Sequence, residues 1–336
     1  MFEIKHTLCP SCSVGCGINV ILENGEIAGT FPYKRHPVNE GKNCQNGRSS
    51  IENIEERIAS DSKVFNDALG KLKSADNGKV TVIFSGNNSN EELLAIKSLC
   101  ESKGFYILTY ADNLKNFDSV ASYDEVEKAS KILVIGNILY ENPLIGRRIV
   151  HAKQNGAEIF VNDDLKNSPT ANIADEFSSL PIKEFLENSS VDEESIIVFN
   201  KVDSSDDLDL LEGLNSKVLP VYSKPNTKGA LNLVESTSLD DSLDLLNNTE
   251  ILLVFNDDTV NEYDFDFKSI PQIIIFSPYK NDTCEIADFV IPVKFWLESG
   301  GSFTNAEGLT QEFSAVCESE NRGIVEIVEK INGELE

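Results

Sequence analysis

Cys9-Pro10-Ser11-Cys12-Ser13-Val14-Gly15-Cys16, answered by Cys44-Gln45-Asn46-Gly47-Arg48, is the stretch from which the rest of the chain is read. Three thiols within eight residues, joined by a fourth after 27 intervening residues, must curl round one object. A cubane iron–sulfur cluster takes four thiolates, one per iron, and tight loops supply most of them. Gly15 and Gly17 flank the third cysteine, where small residues let backbone N–H groups approach cluster sulfurs. The fourth cysteine comes from a distant loop and ties the start of the fold to its next layer. Structural zinc is the alternative, but its usual pattern is two C-x-x-C knuckles and only one is present. Disulfides fit less well: the chain has seven cysteines, no apolar N-terminal signal segment and enough length for a core without staples. An exposed cluster is damaged by oxygen, so a reducing, anaerobic cytoplasm is the expected setting.

Composition narrows the function classes. At 336 residues the length allows about two domains. A 40% hydrophobic content predicts a folded globular protein. No apolar run is long enough to span a membrane. The net charge of −27 and a pI near 4.4 oppose binding to phosphate backbones, which excludes nucleic acid as the natural partner.

Ile18–Leu22 and Glu26–Phe31 flank Asn24-Gly25, a strong hairpin signal, and Ser49–Ile58 reads as a short acidic helix. From Lys63 onward, helices alternate with short apolar strands: Val80–Ser85, Tyr106–Tyr110, Ile132–Ile135, Glu158–Val161, Ile196–Phe199, Val218–Val221, Ile251–Phe255 and Ile273–Phe276. Ser89–Cys100 reads as a helix with acidic residues in its first turn, and Pro143–Asn155 as one opened by proline and closed by Gly156. Continuous β-branched runs between helices predict parallel sheets covered on both faces. The segment from Cys284 breaks the rhythm and reads as an ordered, glycine-rich loop that packs on something.

These motifs resemble the molybdopterin oxidoreductases: formate dehydrogenase of the alpha-subunit type, the corresponding chain of formylmethanofuran dehydrogenase, and the cluster-bearing large subunit of complex I. The resemblance rests on C-P-S-C-S-V-G-C-G, on H-P-V-N-E-G-K-N-C-Q-N-G-R (His36–Arg48) and on S-N-E-E-L (Ser89–Leu93). It continues through Ile132–Pro143, Gly156–Asp163 and A-D-F-V-I-P-V…E-S-G-G-S-F-T-N-A-E-G (Ala287–Gly308). The resemblance implies an α/β fold: a small β-rich 4Fe–4S module followed by doubly wound Rossmann-like layers, without the family's C-terminal β-barrel domain. The module is expected over residues 1–58, completed by 285–320 packing back on it. One α/β domain is expected over 59–130 and 190–284, with a second over 131–189. Ala287–Gln311 is expected near the cluster.

The departures from the family pattern carry as much weight. Its metal-binding cysteine or selenocysteine belongs in the stretch Ala111–Val120, which contains none, and Cys100 nearby reads as a core thiol. Asn46 stands where the family commonly has a relay lysine. Gly136-Asn137-Ile138-Leu139 replaces the G-x-N-P turn, and Asp163-Asp164-Leu165 loses an arginine and sets two carboxylates where a pyrophosphate would lie. The cluster site reads as intact and the pterin site as degenerate.

His36 is expected to make a structural hydrogen bond, and Cys284 and Cys317 to be ordinary thiols. Lys34, Arg35, Lys42 and Arg48 are the one basic concentration, either a solvated face or a docking rim. The acidic runs Asp203–Asp209 and Glu318–Glu320 are expected to be solvated surface. The leading expectation is an iron–sulfur electron-transfer or scaffold subunit with Cys9, Cys12, Cys16 and Cys44 as ligands of one 4Fe–4S cluster. It works beside other redox subunits in a hetero-oligomeric oxidoreductase, without molybdopterin guanine dinucleotide and without a catalytic residue of its own. The alternatives are a catalytic molybdenum or tungsten pterin subunit of a formate or formylmethanofuran dehydrogenase, and a zinc-stapled interaction protein.

Overall fold

The computed structural model describes residues 1–52, 57–58, 62–109, 115–202, 204–235, 239–263 and 265–335. Tyr110, four residues of the stretch Ala111–Val120, part of the Ser49–Ile58 segment and Asp203 lie outside them.

The chain opens with β1 (Phe2–Leu8), β2 (Gly17–Glu23) and β3 (Glu26–Pro32), an antiparallel sheet in that order. The β2–β3 turn places Asn24 at φ 55° and Gly25 at φ 90°, two left-handed residues that match strand twist. The cysteine loop joins β1 to β2. A helix follows at Gln45–Ser49, capped by Cys44, and Arg57 bridges to Tyr279; the helix expected over Ser49–Ile58 falls partly outside the described residues.

Two five-stranded parallel sheets form the body. The first runs β13 (Phe289–Pro292), β12 (Gln272–Ser277), β11 (Ile251–Phe255), β4 (Val80–Phe84), β5 (Tyr106–Thr109). Its β4 and β11 are buried throughout. Val82, Phe84, Leu253 and Phe255 pack on one face, while Ile83, Leu252 and Val254 pack on the other. The second sheet runs β10 (Lys217–Pro220), β9 (Ile196–Phe199), β6 (Lys131–Ile135), β7 (Glu158–Asn162), β8 (Glu176–Ser178).

Two expectations change here. β9 and β10 belong to the second sheet, because β9 pairs in parallel with β6. Residues 190–221 therefore sit with 131–189, not with 59–130. The stretch from Cys284 begins with one more β–α–β unit, the helix Asp282–Ile286 leading to β13, which extends the first sheet beyond residue 284. Only then come the hairpin β14 (Gly301–Thr304) and β15 (Thr310–Phe313), and a last helix, Ile324–Glu334, that packs on the helix Asn90–Lys103. The latter starts with a full capping box between Ser89 and Glu92.

Each parallel sheet changes direction of winding once. In the first, β4 is flanked by β5 and β11; in the second, β6 is flanked by β7 and β9. Such switch points open a crevice at the carboxyl ends of the strands. The loops after β4 and β9 both reach the same crevice, so the two sheets share it.

Candidate functional site

The loop from Cys9 to Cys16 is closed by the Cys9 N–H donating to the Cys16 carbonyl at 2.8 Å. Cys44 arrives at the N-cap of Gln45–Ser49, where its Sγ accepts from the Gly47 N–H at 3.4 Å. All four thiols line one small cavity, with Val14, Asn43, Asn142, Pro143 and Leu144 as its other walls. Gly47 has no room for a side chain: a Cβ there would strike the Asn43 carboxamide and lie 3.4 Å from the Cys9 sulfur.

The loop is held from three directions. Ser13 exchanges hydrogen bonds with Tyr222, N–H to carbonyl at 3.1 Å and Oγ from the Tyr222 N–H at 2.8 Å. Tyr123 Oη donates to the Val14 carbonyl at 3.0 Å. From the end of the chain, the Ala306 N–H donates to the Ser13 carbonyl at 2.7 Å, and Gln311 Nε2 to the Gly15 carbonyl at 3.1 Å.

Burial pushes the Cys12 thiol up to about 12, with Cys9 adding repulsion, and it pushes Cys9 and Cys16 up as well. Crowded thiols in a dry pocket stay protonated unless a bound cation takes the thiolate form. The surroundings supply some positive potential. The helix Pro143–Gln154 points its N-terminus at the cavity. The Arg148 guanidinium opposes the upward shift at Cys16. It lies 5.7 Å over the Tyr123 ring and is held by Asp124 at 3.2 Å and Glu127 at 2.9 Å. A tetrahedral zinc needs its four sulfurs about 2.3 Å from one point. Among the described residues no group of three or more His, Cys, Asp or Glu is set to hold a single ion.

His36 serves the loop. Its Nδ1 accepts from the Gly17 N–H at 3.1 Å, its Nε2 meets the Gln311 amide at 3.1 Å, and burial lowers its pKa. Cys100 is buried in the core of the first sheet. Cys284 and Cys317 lie against the carbonyls of Tyr279 and Leu297, at 3.8 and 3.7 Å. Lys34, Arg35, Lys42 and Arg48 are exposed. The acidic runs Ser204–Asp209 and Glu318–Glu320 also carry exposed carboxylates. Most of Glu298–Gln311 is enclosed: Glu298 and Ser302–Ala306 are buried, Glu298 pairing with Arg57, while Gly300 and the turn at Gly308, Leu309 and Thr310 are exposed. Sequence reasoning missed Arg148, Tyr123 and Asn43, because their part depends on contacts between elements.

Asn46 lines a second space of about 530 Å³ with Ser11, Cys12, Cys44, Tyr140 and Glu141. Asn200, Val221 and Ser223 also line the adjoining crevice, of about 290 Å³, which reaches Ser85, Phe117, Tyr222 and Lys224. Three lysines line that crevice, and each already faces carboxylates. Lys115 meets Asp209 at 2.6 Å and Glu212 at 2.5 Å, Lys201 meets Asp164 at 2.9 Å, and Lys224 meets Asp257 at 2.7 Å and Glu262. Asp163 accepts from Ser168 Oγ at 2.5 Å and lines neither space.

Residues 2–56 match the family described as the molybdopterin oxidoreductase Fe4S4 domain. Over 98% of this chain the fold resembles that of acetylene hydratase from Pelobacter acetylenicus, with a TM-score of 0.72 at 12% identity and 69% of that chain covered. It also resembles a chain of the formyltransferase/hydrolase complex (FhcABCD) from Methylorubrum extorquens, with a TM-score of 0.56 at 15% identity, over 82% of this chain and 96% of that one. In its first module the chain is thus similar to the molybdopterin oxidoreductase Fe4S4 domain, and over most of its length it shares the fold of these two solved structures.

Among curated relatives, it is 30% identical over 204 residues to the F420-dependent formate dehydrogenase 2 subunit alpha of Methanococcus maripaludis, covering 52% of this chain and 30% of the relative. It is 30% identical over 191 residues to the F420-dependent formate dehydrogenase subunit alpha of Methanocaldococcus jannaschii, covering 48% and 28%. The matched part thus spans less than a third of those relatives' length. Among the described residues no helix is long and apolar enough to cross a membrane.

Proposed function

We propose that this chain is an iron–sulfur electron-transfer or scaffold subunit of a formate-dehydrogenase-like oxidoreductase, working in a reducing cytoplasm beside other redox subunits. Cys9, Cys12, Cys16 and Cys44 ligate one 4Fe–4S cluster. The observation that carries the reading is that these four thiols, from two separate loops, line a single cavity. The cluster supplies one-electron chemistry when bound. The chain's own part is to hold the thiolates at fixed positions, to exclude water with Val14, Pro143 and Leu144, and to offset negative charge with Arg148 and a helix N-terminus.

The crevice does not fit a pterin guanine dinucleotide well. A diphosphate entering it would meet lysines already paired with Asp164, Asp209, Glu212 and Asp257. None of Cys100, Cys284 and Cys317 lines it. No catalytic step is therefore assigned. A second reading, a molybdenum or tungsten pterin subunit, is favoured by one observation: the crevice persists at both switch points and adjoins the cysteine cavity. Metal analysis of anaerobically purified protein separates the readings. Iron and sulfide alone support the first, iron with molybdenum or tungsten the second, and zinc alone defeats both.

A further inference from the structure

Asn43 presents an unsolved polar problem beside the four cysteines. Its Nδ2 and Oδ1 are both shut off from solvent, and neither has a hydrogen-bond partner. The side chain forms part of the wall of the cysteine cavity, where Val14, Pro143 and Leu144 offer it nothing polar. The remaining polar neighbours are committed. Asn142 Oδ1 accepts from Asn200 Nδ2 at 3.0 Å while its side chain also hydrogen-bonds the Cys12 thiol, and the Gly47 N–H is directed at the Cys44 sulfur. The carboxamide is also fixed in place, since it occupies the space a side chain at residue 47 would need.

An unpaired buried amide costs about 1–3 kcal/mol, so such groups are rarely left alone without a reason. The cavity offers one kind of partner: sulfur, which accepts hydrogen bonds and donates none once it is thiolate or sulfide. The two ends of a carboxamide exchange places by a half-turn at no cost in volume, so the N–H₂ end can face the sulfur. We propose that Asn43 donates an N–H···S hydrogen bond to the iron–sulfur cluster and thereby raises its reduction potential. The added electron increases negative charge on the sulfurs, and a donor stabilises the reduced state more than the oxidised one. This rests on the cluster reading given above.

The test uses full-length protein with its cluster, prepared anaerobically, beside Asn43→Leu, which keeps the shape and removes the donor. Iron and sulfide per chain are measured first, then the midpoint potential by EPR-monitored titration. Asn43→Leu should retain its iron and show a lower potential. The expected size is about a tenfold shift in the oxidised-to-reduced ratio at the wild-type midpoint, equivalent to about 59 mV for one electron. Iron content and potential both equal to wild type overturn the proposal and leave the cluster reading standing. Wild-type protein that takes up no iron overturns both. Should Asn43→Leu fail to load, pulsed EPR of reduced Asn142→Ser protein, labelled with ¹⁵N at asparagine side-chain amides, decides the matter. A ¹⁵N coupling supports the bond, and its absence rules it out.

Discussion

The Gln311 carboxamide donates to the Gly15 carbonyl at 3.1 Å, joining residues 296 positions apart in the chain. Gly15 sits at φ +75° with the Asn305 Cβ only 2.9 Å from where its own Cβ would be. Gly15→Ala should therefore destabilise the protein by about 2–3 kcal/mol through strain and overpacking. Gln311→Ala should cost about 1–2 kcal/mol by leaving a carbonyl unpaired. Both should speed iron loss to a chelator, measured by bleaching of visible absorbance. If iron release matched wild type in both, the late segment would have no part in holding the cysteine loop.

Replacing Cys12 with serine should remove most of the brown absorbance and the EPR signal of the reduced cluster. It should also loosen residues 1–58, because a small module leans on its metal. Hydrogen exchange of β1–β3 reads the second effect. Full cluster content in Cys12→Ser would disprove the ligand assignment.

Protein isolated from its native cell, with cofactor supply intact, should contain no stoichiometric molybdenum, tungsten or pterin guanine dinucleotide. The motive is the lysine pairing in the crevice, Asp164 on Lys201 included, together with Asn46. One pterin pair per chain would promote the catalytic reading.

Arg35 and Lys42 are exposed on the loop that leads into Cys44, in a chain of net charge −27. Changing both to glutamate should weaken co-purification with redox partners and leave cluster absorbance unchanged. Equal recovery of partners from wild type and the double variant at low salt would remove the basic rim from the docking surface.

Glu262 gives a pH signature. Burial, with repulsion from Asp257, pushes its carboxyl from 4.5 up to about 8. Between those values the unfolded chain has lost a proton that the folded protein keeps, so stability should fall as pH rises from about 4.5 to about 8. Glu262→Gln should flatten that slope in anaerobic denaturant titrations. An unchanged slope would mean that Lys224 compensates the charge fully.

Eight of the ten described strands of the two parallel sheets were legible in the sequence, since a sheet buried on both faces leaves continuous runs such as Val80–Phe84 and Ile251–Phe255; the short, half-exposed β8 and β13 were not. The pairing of the strands was not legible. Nothing local in Ile196–Phe199 distinguishes a neighbour of β6 from a neighbour of β11, and only the packing of helices decides it. β1 escaped notice because Phe2–His6 is exposed on a sheet edge and shows no alternation. The last helix carried a readable pattern, with Ile324, Ile327, Val328 and Ile331 on one face. The cysteines were legible because ligand spacing is local. Asn43, Arg148 and Tyr123 were not, because each matters through a neighbour supplied by another element.

The bond between Ala306 and Ser13 also sets a schedule. The cysteine loop leaves the ribosome well before the residues that retain it. At 5–20 residues per second, the loop waits on the order of 15–60 s for residues 305–311 to emerge. During that interval the thiols stand open to whatever delivers iron and sulfide, and equally to oxidants. The seal closes only once residues 305–311 have been made.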